Sequence, residues 1–245
     1  GCAAGCLGAE QVTVACDDNA ASQSLKSAVI SGITSTGTNA CDCGNITLPM
    51  LIYCSRILNS QYLVHISAKA ETEITILGRN GLPLARSEER KLESGINRGE
   101  YKSAPWDGFG KASLFKSSAE IYSAMLNKLA DFHSDYKVAA NCSNPVLAAI
   151  VKPIAERISN PCGEPLSATF DFQGKKCEIN CGYRKYSHET LVSIACADII
   201  GKGFDVAVPY SFPSAVDLIA KNAGRYVHRF FSCSNDNADL NARKI

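Results

Sequence analysis

Short runs rich in β-branched and apolar residues alternate with runs of helical periodicity over almost the whole chain, and this alternation constrains the fold most. Residues 12–16 (VTVAC) predict a strand. Leu25, Val29 and Ile33 then recur at helical spacing, and Gly37 is typical of a helix end. Similar strand runs lie at residues 39–43, 62–66, 73–77, 136–140, 166–170, 176–180, 204–208 and 225–231. Strands that alternate with helices indicate an α/β protein with three-layer α/β/α domains and mixed, mostly parallel sheets.

Two breaks divide this pattern into three predicted units. Residues 99–116 are punctuated by glycine and proline and carry Trp106, the sole tryptophan, which we expect to pack against a neighbour. A second break lies at residues 201–203 (GKG). The predicted domains are therefore residues 1–115, 116–203 and 204–245, and the third is too short to hold a core comfortably by itself.

Charge and hydropathy exclude two classes of partner. The chain has 25 basic and 24 acidic residues, whereas nucleic-acid-binding proteins carry a strongly basic face. No apolar run approaches the roughly 18 residues of a membrane span. We therefore expect neither nucleic acid nor a membrane as a partner.

The chain is rich in cysteine, with 12 residues, and many of them lie inside apolar strand or helix patterns, as Cys16, Cys54 and Cys196 do. Free buried cysteine behaves as a small hydrophobic residue. This pattern predicts a reduced, cytoplasmic protein rather than a disulfide framework. The alternative of a structural metal is disfavoured, because Cys41 with Cys43, and Cys177 with Cys181, lack the paired spacing of a zinc site.

Six segments, in order along the chain, are similar to segments of one enzyme family. They are residues 12–22 (VTVACDDNAAS, against V-V-G-x-D-x-R-x-S-S), 36–37 (TG, at a helix end), 48–51 (LPML, against T-P-x-L), 74–84 (ITILGRNGLPL, against I-K-x-F-x-x-x-G-x-P-L), 137–144 (KVAANCSN, against K-V-V-V-D-C-x-N) and 208–216 (VPYSFPSAV, against V-P-V-x-x-S-x-A-V). No single segment is specific, but the ordered set resembles the α-D-phosphohexomutases, which include phosphoglucomutase, phosphomannomutase and phosphoglucosamine mutase. The resemblance implies a phosphohexomutase-like fold.

The catalytic loop of that family, T-A-S-H-N-P, carries a serine that is phosphorylated and passes its phosphoryl group to the sugar. At the corresponding place this chain has residues 66–71 (ISAKAE). Matching Ser67 and Ala68 to Thr-Ala places Lys69 at the position of the serine. Ser67 is then a candidate for a displaced nucleophile, and the alternative is an ordinary residue at the end of a strand.

The metal loop of the family, D-G-D-G-D-R, supplies three carboxylates to one Mg²⁺. The matching stretch, residues 170–177 (FDFQGKKC), keeps only Asp171 as a carboxylate, with Gln173 as a neutral ligand. Lys175 places an ammonium group where the ion would lie, and a hard dication requires anionic oxygens. We therefore predict no cofactor, although the family implies Mg²⁺, and we expect an ordinary hairpin turn here.

A basic pocket is the alternative use of this region. If the family fold holds, Lys69, Lys175, Lys176 and Arg184 cluster where the metal and phosphoserine lie in the family, and they bind an anion without catalysis. The competing interpretation is that these are solvated side chains on loops. None of the four histidines, His65, His133, His188 and His228, has ligand spacing, so all four are interpreted as structural or surface residues.

These departures predict a catalytically impaired, phosphohexomutase-like pseudoenzyme that binds a phosphosugar or a protein partner. The chain also lacks the family's opening G-T-x-G-x-R segment, and it ends before the family's fourth domain. One alternative is an active phosphohexomutase, an intramolecular phosphotransferase on hexose phosphates, that another chain completes. A second is a structural assembly factor. Open sheet edges favour a homo-oligomer in any of these cases.

Overall fold

The structure is a computed structural model that describes residues 2–68, 71–99 and 103–230. Its first unit is a five-stranded sheet with helices on both faces. The strands are β1 (Gln11–Cys16), β2 (Asn39–Asn45), β3 (Tyr62–Ala68), β4 (Thr72–Leu77) and β5 (Ala112–Leu114), and the helices are α1 (Cys2–Leu7), α2 (Ala20–Thr34), α3 (Leu48–Ile57) and α4 (Arg86–Arg98). The order across the sheet is β4-β3-β1-β2-β5.

Two smaller sheets follow. The second sheet, in the order β6-β7-β8-β9, contains β6 (Lys137–Cys142), β7 (Pro165–Phe170), β8 (Cys177–Cys181) and β9 (Arg184–Tyr186), and its helices are α5 (Ser118–Leu129), α6 (Pro145–Ile158) and α7 (His188–Gly201). The third is a parallel pair, β10 (Val206–Pro209) and β11 (Val227–Phe230), joined through α8 (Ala215–Asn222).

The strand pairs confirm the predicted α/β class with mixed, mostly parallel sheets. Pairs β1–β2, β1–β3, β2–β5, β6–β7 and β10–β11 are parallel. Pairs β3–β4, β7–β8 and β8–β9 are antiparallel. In a parallel pair the carboxyl ends of both strands lie at the same edge of the sheet, and this placement assembles the candidate site described below.

Three local predictions were wrong or incomplete. Trp106 is 89% exposed and does not pack against a core. The predicted break at residues 99–116 contains β5, which pairs with β2 and completes the first sheet. The pattern also missed α1 and β9, which have six and three residues, because elements this short show too few turns or alternations to be read.

The largest hydrophobic cluster joins the first two units. It contains Leu51 and Leu63 from the first unit together with Leu147 and Ile150 from α6. A second cluster lies on the other face of the first sheet, under α2 and around Val14. The third, around Val216, is smaller and packs α7 and α8 against β10. The first two units therefore share one core, which fixes the edge of the first sheet against the second unit.

Among the described residues, no helix is both long enough and apolar enough to cross a membrane.

Candidate functional site

The candidate site lies at the carboxyl edge of the first sheet, where β1 and β3 end side by side. Asp17 follows β1 directly, and Ser67 is the next-to-last residue of β3. The backbone N–H of Asp17 donates to the carbonyl of Ile66 at 2.9 Å, so the parallel ladder continues one residue beyond β1. Two side chains that are 50 residues apart in sequence thus meet at this edge.

The hydroxyl group of Ser67 is buried and makes two hydrogen bonds, one as donor and one as acceptor. It donates to Oδ2 of Asp17, and its oxygen accepts a hydrogen bond of 3.3 Å from Nε2 of Gln173, in the second unit. Only 5% of Ser67 is exposed. The serine therefore connects the first unit to the second through hydrogen bonds and offers little surface to an incoming substrate.

His65 lies beside this pair and is buried against the carbonyl of Ile46. Its Nε2 is 2.9 Å from the carbonyl of Ile46 and 3.9 Å from Oδ1 of Asp17. A carbonyl oxygen can only accept, so Nε2 carries the proton. Burial lowers the pKa of His65 from its ordinary value, because the charged imidazolium loses its hydration. Since Ser67 is bonded to the aspartate and not to the imidazole, the three residues do not form a Ser-His-Asp relay.

Two buried polar atoms in this region have no hydrogen-bond partner among the described residues. They are Oδ1 of Asp17 and Oγ1 of Thr47, the residue that precedes α3. Gly174 covers Thr47: a Cβ at position 174 would lie 3.6 Å from Oγ1 of Thr47 and 3.0 Å from the side chain of Leu147. The backbone of Gly174 is left-handed, with φ of +69°, which a side chain would strain. Gly174 of the second unit thus packs closely against the start of α3.

The β7–β8 turn, residues 171–176, makes the contacts from the second unit. Oδ1 of Asp171 accepts the backbone N–H of Lys176 at 2.9 Å, so this carboxylate closes its own turn. Nζ of Lys175 lies 3.9 Å from Oε1 of Glu73 in β4. A hydrogen bond from Thr75 and the charge of Lys175 lower the pKa of Glu73. The turn is therefore an interdomain contact in addition to a hairpin connection.

This turn does not fit the magnesium ion that the family resemblance implies. One oxygen of Asp171 holds the turn, and the Gln173 amide group donates to Ser67. Lys175 brings positive charge to the position where cation binding requires carboxylates. Within residues 2–68, 71–99 and 103–230, no group of three or more His, Cys, Asp or Glu side chains is arranged to hold a metal ion.

The structure brings some of the predicted site residues together and separates others. Ser67, Asp171, Lys175 and Lys176 lie at or near the edge described above. Lys69, at the position of the family serine, lies outside the described residues.

Arg184 does not join the predicted basic cluster. It pairs with Cys181, at the opposite end of β8 from the turn, and strand rise separates the two ends by roughly 13 Å. The antiparallel hairpin β8–β9 thus carries Arg184 away from Lys175 and Lys176.

Sequence reasoning missed Asp17 and His65 as members of this site. Asp17 is the aspartate of the V-V-G-x-D-x-R-like segment and directly follows a strand, a place where polar residues of α/β proteins converge. That signal was available. Nothing in the sequence showed that Gln173 reaches Ser67, because 106 residues separate them.

Comparisons with known proteins agree with this fold. Residues 2–103 match the family model of phosphoglucomutase/phosphomannomutase, alpha/beta/alpha domain I. The chain is 29% identical over 155 residues to a probable phosphoglucosamine mutase of Thermococcus kodakarensis, covering 62% of this chain and 34% of that protein. A phosphoglucosamine mutase of Mycolicibacterium vanbaalenii is 25% identical over 216 residues, which cover 86% of this chain and 46% of the relative.

Solved structures match over nearly the whole chain. A phosphoglucomutase/phosphomannomutase family protein of Burkholderia thailandensis superposes with a TM-score of 0.77 at 11% identity, covering 99% of this chain and 63% of the other. A putative phosphomannomutase of Thermus thermophilus gives 0.70 at 12% identity, covering 94% and 64%. The chain spans about a third of the length of the first curated relatives that it matches.

Proposed function

We propose that the protein is a relative of the phosphohexomutases, whose domain I family model matches residues 2–103, and that it acts by binding a hexose phosphate, without phosphoryl transfer through Ser67. In this proposal the protein is a pseudoenzyme. The edge of the sheet that performs chemistry in the family serves here to hold the two units together.

One observation carries the proposal: the Ser67 hydroxyl is buried, donates a hydrogen bond to Asp17 and accepts one from Gln173. A nucleophile has to approach the reacting atom at about 3–3.5 Å. For Ser67 to do so, the hydrogen bond from Gln173 has to break and the β7–β8 turn has to move away. That movement would also break the contact of Lys175 with Glu73.

The charge of the turn supports an anionic ligand. Lys176 is exposed, and Lys175 keeps 37% of its side-chain surface exposed beside Glu73. An ammonium group binds a phosphate as a point charge. A hexose phosphate would therefore bind at the outer surface of the turn, with its phosphate against these two side chains.

Two measurements test the proposal. A coupled assay from glucose 1-phosphate to glucose 6-phosphate, and its mannose and glucosamine equivalents, is run with Mg²⁺ and a bisphosphate activator. We expect no turnover above the buffer blank. Intact-protein mass spectrometry after incubation with the bisphosphate should show no added phosphoryl group.

Calorimetric titration with the same hexose phosphates tests the binding step. We expect saturable binding that Lys176→Gln weakens. Lys185→Gln, on the neighbouring strand β9, is the matched control and should bind as the unchanged protein does. Absence of saturable binding to every hexose phosphate would refute a phosphosugar ligand.

A second candidate, an active mutase, is favoured by the carboxylate of Asp17. It already accepts the hydroxyl proton of Ser67, so it is placed to act as a general base if the turn opens. Under this alternative, turnover would be present and would be abolished in both Ser67→Ala and Asp17→Asn. Turnover that both variants retain would point to a contaminating enzyme.

A further inference from the structure

A cleft of about 760 Å³ lies at the end of the first sheet opposite to the candidate site. Ser67 is near the carboxyl end of β3, whereas Tyr62, at the amino end of the same strand, lines the cleft. Its other walls are the last turn of α3, the segment 78–85 after β4 and the first turn of α4. Sites for small organic molecules have volumes of about 300–1,000 Å³, so the cleft is large enough for one.

Two arginines, Arg56 of α3 and Arg79 of the turn after β4, supply positive charge to the cleft. Nη2 of Arg56 donates to the carbonyl of Asn80 at 3.3 Å, so the two arginine-bearing segments contact each other. Among the residues that the structure describes, the side chain of Arg79 makes no hydrogen bond or ion pair. A guanidinium group has five N–H donors, so most donors of both arginines are open to a ligand.

Close packing at Gly81 holds the turn of Arg79 beside Arg56. A Cβ at position 81 would lie 2.6 Å from Cγ2 of Ile52 on α3, which is closer than any side chain tolerates. The backbone of Gly81 is also left-handed, with φ of +77°. Ile52 and Arg56 are four residues apart and share one face of the helix. The glycine therefore allows the turn to lie against the face of α3 that carries Arg56.

The carboxylate of Glu88, in the first turn of α4, also lines the cleft but is already engaged. Oε1 accepts the hydroxyl proton of Tyr62 at 2.5 Å, and Oε2 accepts the backbone N–H of Ala85 at 2.9 Å. Burial and the neighbouring Glu88 raise the pKa of Tyr62 to about 12, so this hydroxyl stays protonated and continues to donate. The two arginines outweigh the single carboxylate, and the cleft favours an anion.

We propose that this cleft is a second ligand site, which binds a phosphomonoester through Arg56 and Arg79. A phosphate group has three peripheral oxygens and can accept hydrogen bonds from both guanidinium groups, whereas one guanidinium already saturates the two oxygens of a carboxylate. The organic part of the ligand packs against the apolar surfaces of Leu82, Pro83 and the Tyr62 ring, which line the same cleft. The site is separate from the β7–β8 turn and does not depend on the proposed function.

Calorimetric titration of the full chain with three probes tests the ligand class. Phenyl phosphate carries both a phosphate and a ring, inorganic phosphate lacks the ring, and benzoate replaces the phosphate by a carboxylate. We expect saturable binding of phenyl phosphate, with weaker binding of the other two. Absence of saturable binding of phenyl phosphate, or equally tight binding of benzoate, would overturn the proposal.

Variants assign the binding to this cleft. Arg56→Gln and Arg79→Gln should each weaken the binding of phenyl phosphate by about tenfold or more, because each removes charged hydrogen bonds to the phosphate. Leu82→Ala should weaken phenyl phosphate towards the affinity of inorganic phosphate and leave inorganic phosphate unchanged. Circular dichroism verifies that each variant is folded, and the comparison of the three probes on the unsubstituted protein stands without the variants.

Two matched controls remove a positive charge elsewhere. Arg90→Gln lies on the same helix α4, is exposed and is outside the cleft. Lys176→Gln lies at the β7–β8 turn, where the hexose phosphate of the proposed function binds. Both should bind phenyl phosphate as the unchanged protein does. A loss with Arg90→Gln equal to that with Arg79→Gln would show attraction by general surface charge, and a loss with Lys176→Gln alone would place the ligand at the turn; either result would overturn the proposal.

Discussion

The two halves of the candidate site differ in how deeply their residues are buried. Asp17, His65 and Ser67, in the first unit, are all buried at the ends of strands whose residues are almost entirely buried. Asp171 and Lys175, in the second unit, lie on a turn between strands that are only half-buried. The first half is held in place by a hydrophobic core, and the second half is held by a few polar contacts. Substitution should therefore be costly in one half and tolerated in the other.

The largest difference in the free energy of unfolding is expected between substitutions in the strands of the two units. Leu63→Ala removes a fully buried side chain from β3, and we expect it to lower the free energy of unfolding by about 2–5 kcal/mol. Ile179→Ala, in β8, removes a half-buried side chain and should cost about 1 kcal/mol or less. Urea denaturation of both variants measures the difference. Equal costs would mean that the two units are held equally firmly.

The next contrast compares the two aspartates. Asp17→Ala leaves the buried Ser67 hydroxyl without its acceptor, and should cost about 1–3 kcal/mol. Asp171→Ala frees a partly exposed N–H of Lys176 that water can satisfy, so about 1 kcal/mol or less is expected. Thermal and urea unfolding of the pair provide the measurement, and a larger cost for Asp171→Ala would reverse the comparison.

Substitutions at two glycines distinguish the stability cost of backbone strain from the cost of disturbing the contact between the two units. Gly182→Ala places a side chain in the left-handed region with open space around it, and should cost about 1–2 kcal/mol. Gly174→Ala has the same backbone strain and adds a 3.0 Å contact with Leu147. We therefore expect Gly174→Ala to be the more destabilising of the two in the same denaturation series. Equal costs for the two substitutions would show that the β7–β8 turn moves away from Leu147 without loss of stability.

The smallest expected effect is the pH dependence that His65 contributes. Burial holds the pKa of His65 below its ordinary value, so the unfolded chain takes up a proton at a higher pH than the folded protein does. The free energy of unfolding should therefore fall as the pH drops below about 6.5. His65→Gln, which retains a donor for the carbonyl of Ile46, should flatten this dependence. The exposed His133 provides the control, since His133→Gln should leave the slope unchanged.

Local patterns predicted most of the fold because its longer elements carry clear periodicity. The predicted strand at residues 62–66 and helix at residues 144–158 correspond to β3 (Tyr62–Ala68) and α6 (Pro145–Ile158). Strand β5 was missed because its three residues are all exposed and show no alternation. Its place in the sheet comes from pairing with β2, which no local pattern encodes.

The candidate site was less predictable than the fold, because its contacts join distant parts of the chain. Ser67 and Asp171 could be named from the family motifs that they replace. The hydrogen bond from Gln173 to Ser67 depends on how the second unit docks, and that docking depends on the core around Leu147. A sequence motif identifies which side chains are present, whereas the docking of two units decides which atoms they meet.

The core shared between α3 and α6 has a consequence for how this protein folds. Leu147 and Ile150 lie in one buried cluster with Leu51 and Leu63 of the first unit. We therefore expect each unit to complete its interior only when the other is folded. The two should gain and lose structure in one cooperative transition, as a single folding unit, despite having separate sheets. A nascent chain would complete this core only after α6 has been synthesised.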